Sequence, residues 1–177
     1  MTSILMLFVL AAQFVYDENG IAFELDRPTD WVIDTCNEDS LVTISQRDGL
    51  ASLSVNLFAE LMWSNAFDVF NESAREFVDM GYKLVAKSRM SKGELKNALA
   101  DDGAKFHFIK QDNEIKEHIF LMAVVRDNVT LLLTFYLPRW RGDQDRLNAV
   151  HSIMDCFHFL DQMQSGNESL PPLPPLK

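Results

Sequence analysis

With 177 residues, 47% of them apolar and 24% charged, the chain is long enough for one domain with a substantial core and too short for two. Its formal net charge of −10 sets it against nucleic acid and anionic membrane surfaces. The densest basic stretch, Lys83, Lys87, Arg89 and Lys92, has the near-alternate spacing of a strand's solvent face, so no nucleic-acid partner is expected.

Residues 4–12, Ile-Leu-Met-Leu-Phe-Val-Leu-Ala-Ala, are too few to span a bilayer but have the length of a signal-peptide apolar region, with small residues suited to cleavage near Ala11 or Ala12. The expected organisation is a leader or apolar first strand over 1–12, a domain over 13–161 and a Pro-rich tail over 162–177. A cleaved leader implies a periplasmic or secreted protein with no membrane span in the mature chain. An uncleaved strand implies a cytoplasmic one.

Phe14–Asp17 and the alternating Ile21–Asp26 flank Asn19-Gly20, a hairpin signal. Arg27–Asp30 breaks the strand and Trp31–Thr35 resumes it. Leu41–Ser45 and Ala51–Leu57 form a second hairpin about Asp48-Gly49, with Ala51, Leu53, Val55 and Leu57 facing the core. A first helix over about 64–80 carries the stripe Phe67, Phe70, Ala74, Phe77 and Val78, capped by Ser64 or Asn65 and stopped by Gly81. Strands follow over 82–90, 104–110, 115–126 and 129–137, with Ser91–Gly93 a turn and Pro138 ending the sheet region. The two long strands are apolar on both faces, which requires cover on both sides. A second helix over about 143–157, capped by Asp143, presents Leu147, Val150, Met154 and Phe157. The element order lacks βαβα alternation, so the fold class is α+β.

No catalytic residue, cofactor-binding motif or metal-ligand spacing stands out. Cys36 and Cys156 are buried free thiols or a disulfide, and the four histidines read as surface or satisfied core residues. His107 and His118 fall in strands, His151 and His158 in the helical run. The acids at Glu38-Asp39, Asp101-Asp102 and Asp143/Asp145 read as solvated turn residues. Trp63, Arg139, Trp140 and Arg141 are the candidate interface, since Trp and Arg dominate contact energetics where proteins meet.

Gly20-Ile-Ala-Phe-Glu-Leu25 followed by Pro28-Thr-Asp-Trp31, and the closing Ile153-Met-Asp-Cys-Phe157, resemble the PsbP-like superfamily, in which a strand leads into a Pro-x-x-Trp turn. The resemblance spans about residues 14–160 and departs at Asp30, where Gly is common. It implies a three-layer α/β/α sandwich with a central antiparallel sheet and two main helices. It also implies a non-enzymatic protein that binds another protein or assists assembly of a complex. A cytoplasmic chaperone-like adaptor of the same fold is the second reading, and an unrecognised hydrolase the third.

Overall fold

The computed structural model describes residues 11–18, 20–34, 40–58, 65–112, 115–127, 129–140 and 144–161. The described strands are β1 (Ala11–Glu18), β2 (Ile21–Pro28), β3 (Trp31–Asp34), β4 (Val42–Gln46), β5 (Ser52–Phe58), β6 (Lys83–Arg89), β7 (Asp102–Asp112), β8 (Ile115–Arg126), β9 (Val129–Trp140) and β10 (His158–Phe159). The helices are α1 (Ala66–Asp79), α2 (Lys92–Ala98) and α3 (Gln144–Cys156).

The strands build two antiparallel sheets. One has the order β1-β2-β10 and the other the order β3-β4-β5-β9-β8-β7-β6. This corrects the expectation that Trp31 resumes the strand ended at Arg27. The Pro28–Trp31 turn carries the chain from the small sheet into the large one, and Arg27 Nη1 donates to the Trp31 carbonyl at 2.7 Å across the crossing. The Asn19-Gly20 and Asp48-Gly49 hairpins form as expected; Gly20 and Gly49 sit at φ 77° and 70°, where a side chain is strained.

The central strands behave as their two-sided apolarity predicts. Ile119 to Val124 are all buried, alternating between two cores. Phe120, Met122 and Val124 point into the larger core, which they share with Leu133 and Phe135, the small sheet's Phe23 and Leu25, and α3's Val150 and Ile153. Ile119, Leu121 and Ala123 point the other way, onto Phe106, Phe108 and the α1 residues Phe67 and Phe77.

Four local expectations are corrected. Leu57 and Val78 are exposed, each next to the end of its strand or helix. Pro138 does not end the sheet. β9 continues to Trp140, and the register slips between Lys116 and His118, so that Pro138 falls at a bulge where its missing N–H costs no ladder bond. α3 stops at Cys156, so His158 lies in β10 and not in the helix. Residues 92–98, starting inside the expected Ser91–Gly93 turn, form the short helix α2, held by a capping box between Ser91 and Glu94.

Asn65 caps α1 as expected, its Oδ1 accepting the Phe67 N–H at 3.0 Å. Asp102, from β7, takes the Ala66 N–H at 2.9 Å. Ser64, Asp143 and the proposed tail lie outside the described residues, as do residues 1–10.

Candidate functional site

The seven-stranded sheet ends at β6, whose seven residues Lys-Leu-Val-Ala-Lys-Ser-Arg are all exposed. The sequence reading of Lys83, Lys87, Arg89 and Lys92 as one solvent face of a strand is corrected twice: Lys92 opens α2, and β6 is exposed at every residue and pairs, among the described residues, with β7 alone. β6 carries three cations and no acid, in a chain with 26 acidic and 16 basic side chains.

Its hydrogen-bonding phase follows from one contact. The Met90 N–H donates to the Gly103 carbonyl at 2.9 Å, so Ser88 and Ala86, at alternate positions before it, also face β7. Lys87 and Arg89 therefore turn their backbone N–H and C=O outward, away from the sheet. A bulge between Leu84 and Ala86 ends this regular stretch, and Leu84 and Val85 stand exposed beside it.

Beside β6, on the α3 side of the sheet, lies a cavity of about 370 Å³. Its floor is His107, His118 and Phe120, its wall Leu147, His151 and Met154, and its rim Ala86, Lys87 and Ser88. His107 stacks on Phe120 with ring centres 4.1 Å apart, and its Nε2 lies 2.9 Å from His118 Nδ1. Such a bond needs one N–H and one lone pair, hence at least one neutral ring. Burial, then the neighbouring His118 and His151, push the His107 pKa down to about 4. Burial, then Lys116, lowers that of His118. The floor is thus uncharged at neutral pH. The register explains the meeting: His107 pairs with Phe120 and His118 with Leu137, which sets all three rings on one face of the sheet.

A stability prediction follows from this floor. The folded His107 binds its proton less readily than the unfolded one, so its contribution is complete above the ordinary pKa of 6.5 and lost as pH falls toward 4. Denaturant titrations should show unfolding free energy falling by about 1–2 kcal/mol from this group between pH 7 and pH 5. His107→Gln should flatten the profile in that window. An unchanged slope would place the protonation elsewhere.

Lys105 closes the α2 end of the cavity. Burial works against its charge, but ion pairs to Asp155 and Glu94, each at 2.9 Å, outweigh it and raise its pKa. It is committed to holding α2 and α3 against β7. By contrast Arg89, 66% exposed, has Asp102 only at 4.0 Å and lies over the Phe67 ring.

Trp63 and Arg141 lie outside the described residues. Arg139 and Trp140 close β9, and their side chains lie outside the described set. Cys36 is likewise outside it, so the disulfide alternative falls there. Burial, then Asp26, pushes the Cys156 thiol up to about 11, opposite to what a nucleophile needs. His158 Nδ1 meets the Cys156 carbonyl at 3.2 Å, not its sulfur. Asp101 and Asp102 accept backbone N–H groups of Asp127 and Ala66. Glu38, Asp39 and Asp143 lie outside the described residues. Asp145 lines a second cavity, of about 550 Å³, beside Trp31. Among the described residues no cluster of His, Cys, Asp or Glu could hold a metal ion, and no helix is long and apolar enough to cross a membrane.

No family model matches the sequence, and no curated protein matches it. Solved structures do match. The Ran-binding protein Mog1p of Saccharomyces cerevisiae is 9% identical, with a TM-score of 0.58 over 86% of this chain and 97% of its own. Cyanobacterial PsbP (CyanoP) of Synechocystis is 15% identical, with a TM-score of 0.57 over 85% of this chain and 94% of its own. LpqN of Mycobacterium tuberculosis, involved in cell envelope biogenesis, is 10% identical, with a TM-score of 0.58 over 85% of this chain and 92% of its own. These likenesses, each over most of both chains, show that this chain has the PsbP-like fold.

Proposed function

We propose that the protein is a non-enzymatic, exported accessory protein that binds another protein, and that β6 with its adjoining cavity is the docking face. The observation carrying this is the edge: a strand exposed along its whole length and paired, among the described residues, on one side only, beside a largely apolar cavity. Backbone groups of an edge strand and an apolar pocket next to it are what peptide-docking modules use. The likeness to a Ran-binding protein and to an envelope-biogenesis protein supports a binding role by analogy of fold. The two cores, one on each face of the large sheet, support reading residues 13–161 as a three-layer α/β/α sandwich with α1 and α3 as its main helices. Trp63, Arg139, Trp140 and Arg141 are proposed as further interface residues, on the chemistry of Trp and Arg alone.

A photo-crosslinking residue placed at Val85 should yield one discrete adduct in the native host, and one at Val15, which is also exposed but in the small sheet, should not. The same adduct from both sites, or none from either, overturns the docking face. N-terminal sequencing tests export, since an intact Met1 removes it. One observation favours the cytoplasmic adaptor instead: Ala11 and Ala12 already pair with Pro28 and Arg27, so the apolar run passes directly into β1.

A further inference from the structure

We infer that the β6 edge takes an extended acidic segment of a partner protein as an additional strand, with carboxylates at alternate positions and an apolar side chain between them. The inference rests on the docking face proposed above and names its occupant.

The register supplies the pattern. Lys87 and Arg89 are the residues whose N–H and C=O face outward, two apart, so an added strand would bond to β6 through them. Both side chains lie on the α1 face, because Lys87 pairs with Phe106 and Arg89 with Ala104, which point into the core beneath α1. Residues of an added strand set against Lys87 and Arg89 share that face, and opposite charges there are favourable. The residue between them points to the other face, beside Ser88, where the cavity floored by His107 and Phe120 opens. The neutral imidazoles favour an apolar side chain in that position. The pairing grammar is therefore acid, apolar, acid.

Lysines and a bulge on an edge strand also act against self-association. That effect is directional. Two copies of β6 side by side would oppose cation to cation, whereas an acidic strand meets the opposite charge. The other edge of the sheet, β3, bears Asp34 and an exposed Val32 and no cation, so the two edges differ in what they admit.

The probe is a blocked, fluorescein-labelled peptide of alternating Glu and Leu, with a Lys-and-Leu peptide as its counterpart, read by anisotropy on the full chain. The Glu peptide should bind and the Lys peptide should not. Lys87→Glu with Arg89→Glu should weaken binding by roughly tenfold or more, and raised salt should weaken it likewise. Lys87→Pro should weaken it too, because it removes an outward N–H and no β6–β7 bond; circular dichroism confirms that each variant is folded. Equal binding of both peptides, or equal binding by wild type and folded variants, overturns the inference. So does no binding at millimolar peptide. A concentration-dependent dimer lost in the Lys87→Glu/Arg89→Glu variant assigns the edge to a second copy and also overturns it. A discrete Val85 adduct with no Glu-peptide binding leaves the docking face standing and removes only the acidic strand.

Discussion

Phe23→Ala should cost about 3–5 kcal/mol of unfolding free energy, the usual range for emptying a buried phenylalanine site. Phe23 is wholly buried in the central strand of the small sheet. It stacks on Tyr16 of β1 with ring centres 5.0 Å apart and meets Phe157, just past α3, at 5.6 Å. Phe159 pairs with it from β10. One ring thus joins β1, β2, β10 and the end of α3 to the large sheet's core, and none of these neighbours can close the gap alone. Domains of this size have only about 5–15 kcal/mol to lose, so the variant should unfold at much lower denaturant. Val15→Ala on the exposed side of the same hairpin should stay within about 0.5 kcal/mol. A loss below about 1 kcal/mol for Phe23→Ala would mean that the small sheet adds little to the domain's cooperativity.

Gly103→Ala should destabilise by about 1–3 kcal/mol, through overpacking and not through lost contact. A Cβ at Gly103 would fall 2.3 Å from Met90 Sδ, 3.1 Å from Met90 Cγ and 3.2 Å from Leu95 Cδ2. The Met90 side chain has to move as a whole, and Leu95 of α2 stands in its way. Met90 follows β6 and binds the Gly103 carbonyl, so the displacement reaches the docking edge as well. Faster amide exchange over residues 90–98 should accompany the loss. Combining Gly103→Ala with Met90→Ala relieves the collision, so the double variant should be more stable than the sum of the single losses implies. Strict additivity would place the strain elsewhere.

Much of the secondary structure is legible because its causes are neighbours in sequence. Alternation marks β2 and β5, apolar runs on both faces mark β8 and β9, two hairpin turns carry a glycine at positive φ, and the Phe67–Ala74–Phe77 stripe finds α1. α2 was equally local. The Ser91-x-x-Glu94 capping box spells its start, but seven residues are too few to show an amphipathic stripe, and Gly93 reads as a turn. The Pro138 reading failed for a different reason. A proline excludes a ladder bond only where the partner strand would have supplied one, and that depends on a bulge set by β8.

The candidate site was legible in its parts and not in its assembly. The local patterns put His107 and His118 in strands and His151 in a helix, yet their union needs the antiparallel register of β7 on β8 and the seating of α3 above them. The near-alternate spacing of Lys83, Lys87 and Arg89 marks them as solvated. Their value lies in belonging to the last strand of a sheet, which no local pattern encodes.

The sequence by itself determined the class of each long element, the two-sided burial of β8 and β9, and, through the Pro28–Trp31 turn, the resemblance to PsbP-like proteins. Those features follow from side-chain periodicity and turn chemistry within a few residues. Only the tertiary structure decided that the chain changes sheets at Trp31, that β6 is an open edge, and that three imidazoles line one cavity. Strand order and edges are settled by which apolar faces can be buried together, and that choice is made between residues tens of positions apart.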